Sequence, residues 1–316
     1  MYFIRYENYV TWEYDFQGSS KWKKSIKHSM PDIFGENDIH IIDAREPFKI
    51  KFMKSSSDSY PVPMLKSNIQ KTFRQQKIDQ CLSTTQQLLR QDAMECLRRI
   101  PIILLEDGLL HAESYSLIIW LMAAHAKGYC LTEFDEEIVL HAVSISIQST
   151  YRYSLKKEVD GNVQGHGFSI ALRACFGGMR GDIAFLIRLA KRSNELEQAM
   201  ECPTPQFPSF TMEQMVPESI DFHCCGSILN WCANKVPIEI QMIQNTIWWH
   251  WSSPNTRIVH EDESVHEYEK LERTKYLDSF IVLKDLLMTY STQKIKWMYT
   301  EKKKVLVQQK ISFDKK

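Results

Sequence analysis

The spacing of apolar residues changes near Pro63, and that change limits the chain to a mainly α architecture with a small β-containing N-terminal part. Before it, Val10, Trp12, Tyr14 and Phe16 alternate with period two, as do Phe48, Ile50 and Phe52, the pattern of short half-buried strands. Beyond it, apolar residues recur three and four positions apart, as at Ile69 and Phe73, and the remainder reads as a helical bundle or array. Between them, KSSSDSYPVP over Lys54–Pro63 concentrates serine with two prolines, which favours turns and extended chain. The organisation expected is a small α+β or β-containing part over 1–60, a helical domain over 64–291 and a basic tail over 292–316.

Helix ends can be placed from local chemistry. Ser67 is expected to cap the first helix, because its hydroxyl can accept the free N–H groups of a first turn. Asp92 with Glu95 resembles a capping box with Asp in the Ser/Thr position. Pro101 lacks an N–H and is expected to break or kink the helix after Arg98 and Arg99. The next helix, 112–127, ends at Gly128, a suitable left-handed cap. Further helices are expected near 135–150, 168–176, 182–193, 224–235, 239–251 and 263–290, with loops at 156–167 and 202–217.

Lysine plus arginine balance aspartate plus glutamate at 39 each, so no overall charge excess draws the molecule onto nucleic acid. The tail is the local exception: eight lysines face Glu301 and Asp314, a net charge of +6 over 292–316, suited to a solvated end or an acidic partner. Eight cysteines without framework spacing read as reduced, mostly buried thiols. The N-terminus lacks a basic-then-apolar leader and no run reaches 18 apolar residues, so an intracellular protein, nuclear or cytoplasmic and not in a membrane, is expected.

One segment carries a resemblance. Arg74, Asp79, Leu88, Leu89, Arg98, Arg99, Ile100, Ile103, Glu106, Asp107 and Leu110 follow a pattern of a basic residue, paired leucines, an Arg-Arg step and an Ile–Glu-Asp–Leu run. Ser67–Leu131, about a fifth of the chain, thereby resembles the C-terminal helical region of the MgsA/RarA family, whose eukaryotic members are the Werner-helicase-interacting ATPases. The resemblance implies a self-associating helical collar near DNA replication or repair. The family's motor does not carry over, because no G-x-x-x-x-G-K-[ST] exists to cradle a triphosphate.

Candidate chemistry is sparse. In a hairpin about Pro101, Arg98 or Arg99 would pair with Glu106 or Asp107, either as a structural ion pair or as a partner contact. ALRACFGGMRGD over Ala171–Asp182 places Gly177, Gly178 and Gly181 before a helix, where Arg173 and Arg180 could help hold an anion. Asp182 as N-cap would occupy that position, which favours a tight turn. Asp221, His223, Cys224, Cys225 and Cys232 suggest a metal at first sight, but adjacent cysteines diverge on a helix and no second half-site follows, so Asp221 reads as the cap of a helix from Cys224. Trp248 and Trp251 share a face at helical spacing while Trp249 points elsewhere, and an exposed Trp beside Arg257 could stack on an unpaired base.

No metal, cofactor or hydrolase motif emerges. The expectation is a non-enzymatic scaffold or binding module with a protein partner or a homo-oligomer. Two alternatives remain: an enzyme with a helical site around Glu106, Asp107, Arg173 and Asp182, and single-stranded nucleic-acid binding through the tail and the tryptophans.

Overall fold

The computed structural model describes residues 1–20, 22–45, 51–108, 111–148, 151–152, 162–192, 206–252, 259–260 and 263–313. The chain is mainly helical with a four-stranded N-terminal sheet, and it forms two compact units. One comprises Met1–Ser59, Thr85–Gln206 and Thr256–Asp262; the other comprises Tyr60–Thr84, Phe207–Asn255 and Glu263–Lys316.

In the first unit, β1 (Tyr2–Arg5) pairs antiparallel with β2 (Val10–Glu13) and parallel with β4 (Ile39–Asp43), which pairs antiparallel with β3 (Trp22–Ile26). The order is β2-β1-β4-β3, and α1 (Pro31–Phe34) sits in the connection between the adjacent antiparallel strands β3 and β4. The central strands bury Phe3, Ile4, Ile39, Ile41 and Ile42 together with the charged Arg5, whereas the edge strand β3 exposes Lys23, Lys24 and Ser25. Charged residues on an exposed edge discourage further strand pairing. Trp12 in β2 stacks on Phe3 with ring centroids 4.1 Å apart, and its indole N–H donates to Ser169 Oγ at 3.0 Å.

The sheet shares its unit with α4 (Ala93–Asp107), α5 (Ala112–His125), α6 (Glu133–Ser146), α7 (Gly167–Cys175) and α8 (Arg180–Ala190). Helix α5 is buried on nearly every side, from Ser114 to Ala124, as expected of a helix apolar all round. Gly128 after it adopts φ +88°, the left-handed conformation expected there. A two-residue parallel pair joins β5 (Tyr151–Arg152) to β6 (Val259–His260).

A buried charge cluster ties sheet to helices. Arg5, at the end of β1, and Asp135, in the first turn of α6, are both fully buried and meet at 2.6 Å. Asp135 Oδ2 accepts the Thr132 N–H at 2.8 Å and the Tyr129 hydroxyl at 3.1 Å, while Thr132 Oγ1 accepts the Asp135 N–H at 3.2 Å, a reciprocal capping box. Arg45 pairs with Asp43 at 2.6 Å, and the Arg5 guanidinium lies 5.1 Å from the Trp120 ring. Trp120 in turn donates to the Phe3 carbonyl at 3.2 Å.

In the second unit, α2 (Val62–Arg74) leads into α3 (Ile78–Gln91), whose last turns belong to the first unit. Two 3₁₀ turns, Met212–Gln214 and Pro217–Ser219, precede α9 (Ser227–Ala233) and α10 (Ile240–Thr246), which continues into a π turn over Ile247–Trp251. Helix α11 runs from Glu263 to Phe313, 51 residues or about 75 Å at 1.5 Å per residue. Its buried residues Tyr276, Leu283 and Leu287, with half-buried Phe280 and Tyr290, follow a four–three spacing. Leu283 and Leu287, with Phe280 and Tyr290 against them, pack in a core with Ile228, Cys232, Ile243, Ile247 and Trp251, while Tyr276 accepts a hydrogen bond from Asn245.

Several expectations change. Ser67 lies inside α2, which starts at Val62 after Pro61, because Pro63 fits the N–H-free first turn. Pro101 does not end α4, which continues six residues past it to Asp107. A proline ring pushes away carbonyls of the preceding turn. The Arg98 carbonyl in that turn accepts from Arg173 Nε at 3.1 Å and Nη2 at 2.7 Å. The tail from Thr292 continues as helix to Phe313, since 292–313 contains neither glycine nor proline. Asp92 does cap α4, accepting the Glu95 N–H at 3.1 Å. The Phe48–Ile50 alternation lies outside the described residues, and Phe52 forms a single bridge to Thr132.

Replacing Asp135 with Ala leaves Arg5 buried without its carboxylate and is expected to cost about 3–5 kcal/mol in urea unfolding. Lys51→Ala, which removes an exposed pairing with Glu133, is expected to cost about 1 kcal/mol or less. Equal losses for the two variants would remove the cluster from its structural role.

Candidate functional site

The arginines and carboxylates that the sequence singled out do not form one site. Arg98, Arg99, Glu106 and Asp107 all lie on α4, so eight residues separate Arg98 from Glu106 by about 12 Å along one helix, and there is no hairpin to fold them together. Arg98 instead pairs with Glu95 at 3.5 Å and donates to the Phe176 carbonyl at 3.0 Å. Arg173 is buried in α7 and spends its donors on the Arg98 carbonyl and, at 2.7 Å, on the Gly177 carbonyl. Two arginines therefore hold the α7–α8 turn, in which Gly177 and Gly178 take φ of +78° and +150°, values that side chains disfavour. Arg180 is exposed at the start of α8, and Asp182, expected as its cap, sits instead within its first turn, three residues past the N-cap Met179.

The Asp221 region is organised about a lysine that the sequence did not flag. Lys71, buried in α2, donates to Ser252 Oγ at 2.7 Å and to the Ser252 carbonyl at 3.1 Å, and lies 3.1 Å from Asp221 Oδ2. Ser252 Oγ donates to the same carboxylate oxygen at 2.9 Å, and Arg74 also reaches the Ser252 carbonyl. Asp221 Oδ1 accepts the N–H groups of His223 and Cys224 at 2.9 and 3.1 Å. It caps that turn, whereas α9 begins later at Ser227, so Asp221 is a buried counter-ion and not the cap of a helix from Cys224. Burial pushes its carboxyl up, but His223, Lys71 and Ser252 outweigh burial and hold it well below the usual carboxylate range. Among the described residues no group of three His, Cys, Asp or Glu could hold a metal ion.

The neighbouring cysteines differ chemically. Cys225 Sγ is hydrogen-bonded to Ser227 Oγ at 2.8 Å and to the Tyr290 hydroxyl at 3.2 Å, and Ser227 and Tyr290 are hydrogen-bonded to each other. Partial burial raises the Cys225 thiol, but Ser227, Tyr290 and the Lys294 charge overcome it, and its pKa falls below the ordinary value. Burial pushes Cys224 and Cys232 up to about 11 each. All seven described cysteines are free thiols, three of them buried.

The tryptophans separate by face. Trp251 is buried and Trp248 is 46% exposed, because the wider π turn rotates residues three apart away from each other. Trp249 lies edge-on to Tyr268 at 6.3 Å, and Trp248 edge-on to His223 at 6.0 Å. Arg257 lies outside the described residues.

The largest unassigned feature is the outer side of α11. Its inner positions face the core, yet one residue further on Leu277, Ile281 and Met288 are exposed along a neighbouring stripe, with Ile281 66% exposed. Half-buried Ile295 extends the stripe by another seven residues. Lys71, Ser252, Tyr290 and this stripe were all missed at the sequence level, although the seven-residue step from Ile281 to Met288 to Ile295 is visible there. No helix among the described residues is long and apolar enough to cross a membrane. No protein family, curated protein or solved structure matches the chain.

Two outcomes follow from these environments. Asp221, depressed in the folded state, stabilises fully above its unfolded pKa of about 4 and loses that contribution as pH falls through its lower folded value. The stability gap between the wild type and Asp221→Asn is therefore expected to be constant above about pH 5 and to close on further acidification; a gap that widens in acid would contradict the assignment. Iodoacetamide at neutral pH is expected to label Cys225 faster than Cys224 or Cys232, and Tyr290→Phe to slow that labelling, as followed by peptide mass spectrometry.

Proposed function

We propose that the chain is a non-enzymatic scaffold or binding module that engages a protein partner through the outer face of α11. The observation that carries this reading is the exposed stripe Leu277, Ile281 and Met288 on a 51-residue helix whose neighbouring face already fills a core. Apolar side chains aligned on one exposed helix face mark an interaction surface more readily than scattered ones do. Of the residues an enzyme reading would draw on, Arg173 braces α4 against the α7–α8 turn, and the buried pair Lys71 and Asp221 likewise joins α2 to the chain around Ser252. The likeness of Ser67–Leu131 to the MgsA/RarA collar supports a setting in DNA replication or repair for such a module.

The test is whether the stripe is free of structural duty. The triple variant Leu277→Glu, Ile281→Glu, Met288→Glu, unfolded by denaturant in dilute solution, is expected to keep its stability within about 0.5 kcal/mol of the parent, as for surface changes. A loss of about 2 kcal/mol or more per residue, the size expected for buried apolar side chains, would make the stripe part of the fold and remove the reading.

A further inference from the structure

We infer that the partner of this face is a second copy of the same helix, paired antiparallel about a two-fold axis at Met288. The inference rests on the outer face of α11 being the binding surface, and it adds the occupant and the register.

Three features converge. Ile281, Met288 and Ile295 are separated by seven residues each, the spacing that keeps a seam on one side of a helix supercoiled with another. Met288 lies midway between Glu263 and Phe313, the ends of the helix. A two-fold axis there sets Met288 against its own copy, Ile281 against Ile295 and Leu277 against Tyr299, so every apolar position of the stripe meets an apolar one. Such self-complementarity is what an isologous interface requires. From Leu277 to Tyr299 the contact would run about 33 Å at 1.5 Å per residue.

Charge fixes the direction. Residues 263–272 carry Glu263, Glu267, Glu269 and Glu272 against Lys270, a net charge of −3. Residues 294–310 carry Lys294, Lys296, Lys302, Lys303, Lys304 and Lys310 against Glu301, a net charge of +5. This polarity suits the dipole of the helix itself, negative residues at the N-terminal end and positive at the C-terminal end. In an antiparallel pair about Met288, residues 263–279, with five carboxylates against Lys270, Arg273 and Lys275 and a net charge of −2, lie along 297–313 of the other copy, with four lysines against Glu301 and a net charge of +3, and the two dipoles oppose. In a parallel pair the lysine-rich thirds lie side by side, +5 against +5, which Coulomb repulsion disfavours.

The experiment uses the full chain. Sedimentation equilibrium across micromolar concentrations is expected to show a reversible dimer, with dissociation on the order of tenfold or more easier for Ile281→Glu. A bis-maleimide is expected to join Met288→Cys to itself, whereas Leu277→Cys joins only to Tyr299→Cys in a mixture, with linked peptides identified by mass spectrometry to set aside the native thiols. Self-linkage of Leu277→Cys would mean a parallel pair and overturn the inference, as would a dimer indifferent to Ile281→Glu. A strict monomer at every concentration also overturns it; if the triple glutamate variant still keeps its stability, the pairing alone has failed and the face belongs to another protein. A monomer that instead forms a salt-sensitive complex with single-stranded DNA assigns the lysines to nucleic acid and overturns the pairing. Loss of stability in the triple variant removes the binding surface itself.

Discussion

The Asp135 carboxylate is the point on which the first unit depends, because one group without access to water meets three demands at once. It closes the capping box of α6 with Thr132, accepts the Tyr129 hydroxyl and neutralises the fully buried Arg5 of β1. A buried charge pair is no net gain over an apolar pair of the same volume, since both ions lose their hydration. Its physical effect is selective: the pair is tolerable only in the arrangement that brings β1 and the start of α6 to within hydrogen-bond reach. Trp120 reinforces that arrangement by receiving the Arg5 guanidinium near its ring and donating to the Phe3 carbonyl.

The second unit repeats the principle with other residues. Lys71 and Asp221 are far apart in sequence and buried together, with Ser252 hydrogen-bonded to both. Asn68, one turn before Thr72 on the same helix, accepts the Val216 N–H and the Ser219 hydroxyl and donates to Thr84. A helix with so many buried polar side chains cannot be positioned by hydrophobic burial alone, which is directionless. Here the hydrogen bonds decide which residues of the returning chain lie against α2.

These structural duties bear on function through subtraction and through what is left over. Arg173 and Arg98 hold backbone carbonyls of a glycine turn, so the densest glycine segment of the chain is a braced helix connection. The residues around Asp221 resolve into an ion pair and a set of thiols with different acidities. Among the described residues the outer face of α11 is exposed at Leu277, Ile281 and Met288, and this apolar stripe is the surface on which the proposed binding role rests.

Hydrophobic pattern marked several elements: α7 is a helix with one apolar face, α5 a helix apolar all round, and β2 a strand where Val10 and Trp12 alternate. Local chemistry determined the Asp92 cap and the left-handed Gly128, because each depends on a few adjacent residues. Pro101 shows where that locality ends. The helix runs on past it to Asp107, and the same turn is braced from 72 positions away by Arg173, which donates twice to the Arg98 carbonyl. The π turn that separates Trp248 from Trp251 and the pairing of Lys71 with Asp221 were likewise settled by packing. The sequence by itself determined the mainly helical class, the strand at Val10–Trp12 and several helices and caps, since these follow from near neighbours along the chain, whereas β1, β3 and β4 carry no alternation that stood out before the sheet paired them. Only the tertiary structure decided which charges are neutralised and which helix face is left uncovered, because both depend on residues brought together from distant parts of the sequence.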